Sequence, residues 1–230
     1  MIVFPNNWKN IGLCPKIDEI QDGLIKILKK LNCNNLALSG GIDSSYILWC
    51  MLQVFGTNIN CYTIALNEKH PDFIYAKKIT TLFKVNWEYL LTNNKIIDLT
   101  NDYQGDGGVR TFFTWLEERV EQIICCDGID EFMGGYYDHL HTPTHETYYN
   151  YMLRLQKEQL EPLHQNSGKI KVFLPYMDFS LISLYNRFPM SMRFGTDDRK
   201  KVIKQLACNK IPEEIINRRK YGFIDIGVIK

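Results

Sequence analysis

Apolar positions recur at helical spacing from Lys16 to Leu31, where Ile17, Ile20, Leu24, Ile27, Leu28 and Leu31 share one face behind Pro15. The pattern predicts a helix that stops at Asn32. Asn35-Leu36-Ala37-Leu38 then reads as a short buried strand, and Tyr46, Ile47, Cys50, Met51, Val54 and Phe55 return to helical spacing after a Ser/Gly-rich loop. Ile59 to Leu66 has strand character, Pro71 to Phe83 helix chemistry, Trp87 to Leu91 strand character again, and Gln122 to Cys126 is a fourth strand. This alternation predicts an α/β fold: a parallel twisted sheet with helices on both faces, and ligands gathered at the carboxyl ends of its strands.

From His139 onward the pattern is mainly helical, over Glu146 to Leu160, Phe179 to Phe188, Asp197 to Ala207 and Glu213 to Arg219, with interruptions at Pro162, Pro175, Pro189 and Pro212. The chain therefore divides into a helical lead-in (1–34), an α/β core (35–138) and a C-terminal helical region (139–230) that completes the site, within one structural domain. Asn101 to Val109 is Gly/Asp-rich and reads either as a mobile lid or substrate loop or as a surface turn.

Composition narrows the picture. Lys plus Arg number 27 against 26 Asp plus Glu, a net charge of +1, so no basic field points to nucleic acid. The basic run from Arg199 to Lys220 reads as a solvated face. Seven scattered cysteines contain no C-x-x-C pair, which indicates neither a disulfide framework nor a zinc ribbon. With no apolar run of membrane-spanning length and no signal-peptide pattern, the expectation is a cytoplasmic protein without a membrane partner.

Ser39-Gly40-Gly41-Ile42-Asp43-Ser44-Ser45 stands between a strand and a helix. Such a turn wraps phosphate oxygens with backbone N–H groups, aided by the helix N-terminus. No G-x-x-x-x-G-K-[ST] run is present, and a carboxylate, Asp43, sits inside the cradle instead. Beside a polyphosphate that carboxylate implies a shared cation, so ATP is expected as its magnesium complex.

The S-G-G-x-D-S signature resembles that of the N-type ATP pyrophosphatases (PP-loop family). Cys126-Asp127-Gly128-Ile129-Asp130-Glu131-Phe132-Met133-Gly134-Gly135-Tyr136 is similar to the G-E-G-S-D-E-L-F-G-G-Y stretch of the asparagine synthetase branch. Leu174-Pro175-Tyr176-Met177-Asp178 resembles its V-P-F-L-D, Lys201-Val202-Ile203-Lys204 its K-x-x-L-R, Ile211-Pro212 its L-P, and Arg218-Arg219-Lys220-Tyr221-Gly222-Phe223 its R-x-K-x-G-F. The resemblance implies an adenine nucleotide alpha hydrolase-like fold. It also implies an AMP-forming amide ligase, in which a carboxylate attacks the ATP α-phosphate and ammonia or a small amine then attacks the acyl-adenylate. On this reading Asp43 and Asp130 hold Mg²⁺, while Lys201, Asp127 and Asp130 are catalytic. Leu38, Ser39, Gly40, Gly41, Asp43, Ser44, Ser45, Ala65, Cys126, Gly128 and Lys220 then bind the nucleotide.

Three departures from the family pattern matter. Ile2 stands where bifunctional members carry the cysteine of a glutaminase, so ammonia is expected from a separate glutaminase or from solution, with a homo-oligomer as a further partner. Asp127 replaces a Glu and shortens its reach by more than an ångström. Gly107 to Phe113 does not reproduce the family's substrate loop, which leaves the acceptor acid open; Arg110 either forks a substrate carboxylate or pairs with Glu117 or Glu118 on the surface. His139, His141 and His145 supply zinc-like chemistry, but Pro143 breaks their spacing, and a polar loop near the ATP site is the preferred reading. Two rival functions are a PP-loop enzyme that adenylates a nucleobase in RNA and a catalytically weak ATP-binding subunit of a partner amidotransferase.

Overall fold

In the computed structural model, residues 15–93 and 107–220 are described, together with Met1 and Val3. Ile2, the Asn101 to Asp106 part of the expected lid, and Tyr221-Gly222-Phe223 of the tail motif lie outside the described residues.

Five short strands pair in parallel in the order β3-β2-β1-β4-β5: β1 (Asn35–Ala37), β2 (Asn60–Ala65), β3 (Asn86–Leu91), β4 (Gln122–Ile124) and β5 (Lys171–Phe173). Period-two alternation sends their side chains to two faces. Leu36, Leu38, Cys61 and Ile124 enter one core with α1 (Asp18–Leu31), α2 (Ile42–Phe55) and α3 (Pro71–Phe83). Tyr62, Ile64, Leu66, Ile123 and Cys125 enter the other with Phe112, Phe113 and Leu116 of α4 (Gly107–Leu116). Both faces are thus covered, as a parallel sheet requires.

The register is pinned at the amino ends of the strands by a ladder of amides. Asn86 Nδ2 donates to Asn60 Oδ1, Asn60 Nδ2 to Asn35 Oδ1, and Asn35 Nδ2 to the Gln122 carbonyl, each at 3.0 Å. Asn35, Asn60 and Asn86 are in-register partners, so a one-residue slip of a strand would break the ladder and invert its buried face.

Two elements depart from the sequence reading. Gly107 to Val109, placed in a connection because of its glycines, begins α4; Phe112, Phe113 and Leu116 bury against the sheet, and tertiary packing overrides the low helix propensity of Gly-Gly. The C-terminal region also contributes β5, only three residues long, whose Lys171 pairs with Gln122. Among the described residues the remaining α-helices are α5 (Ile129–Met133), α6 (Tyr137–His141), α7 (His145–Leu155), α8 (Glu161–Asn166), α9 (Phe179–Tyr185), α10 (Met190–Arg193), α11 (Lys201–Ala207) and α12 (Glu213–Ile216), with a short 3-10 turn at Pro175–Met177. Pro162 does not interrupt: α7 runs through a π-helical segment, Gln156–Leu160, directly into α8, and the widened turn just before Pro162 accommodates the proline that lacks an N–H. Among the described residues no helix is long and apolar enough to cross a membrane.

Candidate active site

The strand order reverses its direction of growth between β1 and β4, which are neighbours joined at Leu36 and Ile124. Loops leaving the carboxyl ends of such a pair diverge to opposite faces and leave a crevice between them. The Ser39 to Ser45 loop follows β1 and the Cys126 to Gly135 segment follows β4, so the two motif segments flank that crevice.

Each loop is shaped by glycine where a side chain has no room. Gly40 has φ +66°, and a Cβ there would lie 2.4 Å from the Ala76 backbone nitrogen on α3. Gly128 has φ +91°, and a Cβ would meet Met177 Sδ at 2.1 Å. Gly41 opens α2 in an extended conformation with no side chain capping the helix, which leaves the first-turn N–H groups and the positive end of the helix turned to the crevice. Ser39 Oγ accepts from Gly41 N–H and lies 3.3 Å from Ser44 Oγ. Ser45 Oγ is buried without a partner among the described residues.

The carboxylates of Asp43 and Asp130 converge on one ammonium. Lys200 Nζ lies 2.5 Å from Asp43 Oδ2 and 2.5 Å from Asp130 Oδ1, and Lys220 Nζ lies 2.6 Å from Asp130 Oδ2. The Lys200 side chain is only 7% exposed, against 18% for Asp43 and 15% for Asp130. Burial raises the Asp43 carboxyl, with Lys200 opposing it. Burial works the same way on Asp130, but the Lys200 and Lys220 charges outweigh it and hold that group below the usual carboxylate range. Burial also disfavours the charge on Lys200, yet Asp130 and Asp43 keep it protonated beyond an ordinary lysine.

The structure places Lys200, not the expected Lys201, between the two aspartates. Lys201, the first residue of α11, pairs with Asp197 in the loop before it, 2.6 Å away, at the surface. Lys200 precedes α11 in a left-handed conformation, φ 53°, which costs a non-glycine residue on the order of 1 kcal/mol and turns its side chain inward. Gly135 makes the approach possible, since a Cβ there would lie 1.7 Å from Asp130 Oδ1 and 2.4 Å from Lys200 Cε. The missed signal was a spacing. In K-x-x-L-R an apolar and then a basic residue follow three and four places after the lysine; counted from Lys200 these are Ile203 and Lys204, counted from Lys201 they are Lys204 and Gln205.

The C-terminal half ties down the first loop at two carbonyls. Tyr176, fully buried, donates its hydroxyl to the Asp43 carbonyl at 3.0 Å. Arg218 Nη1 donates to the Ser39 carbonyl at 3.1 Å, while its other nitrogen pairs with Asp72 of α3. Lys220 lies over the Tyr136 ring, and Tyr136 in turn donates to the buried Glu131 carboxylate at 2.6 Å.

Leu38 and Ala65 are buried at the carboxyl ends of β1 and β2. Cys126 follows β4, and burial together with Asp43 pushes its thiol well above the ordinary value; Cys125 is raised likewise, by burial and Asp127. Asp127 is exposed in the turn before α5. Arg110 is half-buried on α4, and Glu117 receives the Lys169 backbone N–H.

The histidine segment is not a polar loop. His139 is fully buried in α6 among Tyr148, Tyr151 and Phe194, and its Nδ1 accepts from Tyr136 N–H at 3.3 Å; burial lowers its pKa to about 4. His141 and His145 are exposed, and among the described residues no three His, Cys, Asp or Glu side chains gather as metal ligands. The pair of Asp43 and Asp130 does fit a magnesium ion completed by phosphate and water: both offer hard oxygens at one point, and Asp43 Oδ1 is buried without a hydrogen-bond partner among the described residues.

A family model described as asparagine synthase matches residues 35–173 and 168–228. No curated protein matches the chain. Among solved structures, the U34-tRNA thiolase NcsA from Methanococcus maripaludis, described with its 4Fe-4S cluster, is 13% identical with a TM-score of 0.43, over 83% of this chain and 70% of its own. The NH3-dependent NAD synthetase from Campylobacter jejuni, in complex with the nitrate ion, is 15% identical with a TM-score of 0.41, over 87% of this chain and 99% of its own.

Proposed function

Because the chain belongs to the asparagine synthase family, we propose that it is an ATP-dependent ligase that adenylates a small carboxylic acid and passes the acyl group to ammonia or a small amine. The observation that carries this reading is the meeting of Asp43, Asp130, Lys200 and Lys220 beside the uncapped N-terminus of α2. Four chain segments bring alternating charges to one crevice, which suits a reaction between two anions.

The Ser39 to Ser45 loop would receive the triphosphate on its N–H groups. Asp43 and Asp130 would hold Mg²⁺, whose charge neutralises the phosphate oxygens when bound. Attack by the acceptor carboxylate on the α-phosphorus forms the acyl–O–P bond and breaks the bond to the β-phosphate oxygen, so pyrophosphate leaves with the electron pair. Lys200 and Lys220 turn their ammoniums from the carboxylates to that developing charge, in a site where water is largely excluded. The amine then attacks the acyl carbon, AMP departs, and Asp127 at the open side of the turn takes the proton the amine loses. Arg110 stands as the residue for an acceptor carboxylate. The setting is a cytoplasmic enzyme, with ammonia drawn from solution or from a separate glutaminase, alone or as a homo-oligomer.

Pyrophosphate release against a panel of carboxylic acids, with Mg²⁺, ATP and ammonium, tests the nucleotide step and the acceptor together. AMP and pyrophosphate are the expected products. ADP and phosphate as the main products would refute the reaction type.

A further inference from the structure

The Ser39–Gly40 peptide needs something besides its own sequence to hold it. Gly40 must be glycine because its Cα lies against the Tyr75–Ala76 backbone of α3, yet glycine is the residue least able to fix a peptide plane by itself. We propose that Arg218 is a positioning residue for the phosphate cradle. It acts by holding the Ser39 carbonyl inward so that the Gly40 N–H faces the nucleotide; this rests on the proposed function.

The argument is geometric. A trans peptide is planar, with its C=O and N–H pointing in opposite directions. Arg218 Nη1 donates to the Ser39 carbonyl at 3.1 Å, which sends the Gly40 N–H away from Arg218, and among the described residues that N–H meets no acceptor. The guanidinium is itself held on two further sides, by the Asp72 carboxylate at the start of α3 and by the Tyr75 ring, 5.1 Å from the guanidinium carbon. Arg218 and Asp72 are both nearly buried, with side chains 6% and 11% exposed, so the fork works in a setting where water does not compete for the carbonyl. One side chain thus links the C-terminal tail, α3 and the loop after β1. A lysine cannot replace it: a single ammonium lacks the rigid pair of nitrogens that reaches the carbonyl and the carboxylate together.

The test compares Mg-ATP, Mg-pyrophosphate and AMP binding by calorimetry in wild type, Arg218→Lys and Asp72→Asn. Arg218→Lys should weaken Mg-ATP and Mg-pyrophosphate about tenfold, or ~1.4 kcal/mol, and leave AMP, which lacks the phosphates of the cradle, within about twofold. Asp72→Asn should shift the same two ligands in the same direction by a smaller factor, and decides the matter if the arginine variant does not fold. Mg-pyrophosphate binding unchanged in either folded variant, or AMP weakened as much as pyrophosphate, would overturn the positioning role. A wild-type chain that binds neither Mg-ATP nor Mg-pyrophosphate would instead overturn the nucleotide reading on which it rests.

Discussion

Replacing Lys200 by Met is the sharpest perturbation of the site, because it removes one charge and keeps most of the apolar stem. Two carboxylates then face each other across a buried gap; Asp43 loses its ammonium, while Asp130 keeps Lys220 at 2.6 Å. Removing one partner from a buried ion pair typically costs 3–5 kcal/mol, and the retained Lys220 places this case near ~3 kcal/mol. For a chain of this size that lowers the melting temperature by about 6–12 °C. Lys201, paired with Asp197 at the surface, is the matched control, and Lys201→Met should leave the melting temperature unchanged within error. The assay is thermal unfolding followed by circular dichroism at pH 7, without and with millimolar Mg²⁺, beside pyrophosphate release. Mg²⁺ should stabilise Lys200→Met more than wild type, since it answers the charge the variant leaves exposed. Pyrophosphate release should fall about 100-fold or more in Lys200→Met and stay within about twofold in Lys201→Met. If Lys201→Met abolishes release while Lys200→Met is stable and active, the placement of the two lysines is wrong.

Other outcomes follow from single contacts. His139 is buried neutral with its pKa lowered to about 4 from 6.5, so the unfolded chain takes up a proton first as pH falls. Stability is therefore full above pH 6.5 and drops by about 3 kcal/mol by pH 4; urea titrations should show that slope, flattened in His139→Phe, and an equal slope in both proteins would rule it out. Gly135→Ala places a Cβ 1.7 Å from Asp130 Oδ1 and should silence pyrophosphate release in a protein whose far-ultraviolet spectrum is unchanged; wild-type activity would contradict the close approach. Cys125 and Cys126, raised well above ordinary thiols, should resist alkylation at pH 8 in the folded protein, and glutamine should not replace ammonium. Rapid labelling of the buried Cys125 would speak against its burial.

The local patterns of this chain were readable without coordinates. Strands β1 to β4 and helices α1 to α3 follow from hydrophobic periodicity and from the residues that stop them, such as Asn32, which ends α1 in a left-handed conformation. The loop after β1 was equally legible, because a Gly-Gly turn between a strand and a helix has a shape dictated by neighbours in sequence. Tertiary structure alone decided the rest. Strand β5 lies within a region whose pattern is otherwise helical, and α4 begins with two glycines; each exists because the sheet offers it a partner or an apolar face. The K-x-x-L-R spacing favours Lys200 over the adjacent Lys201, but only the fold shows where each goes: a backbone turned left-handed at Lys200 sends it to Asp43, 157 residues away, while Lys201 pairs with Asp197. Arg218 meets Ser39 across 179 residues, and nothing near either residue encodes that meeting. Sequence specifies what local dihedral preference and periodicity can express, whereas the charges of the site are assembled by packing of distant segments, which no local rule contains.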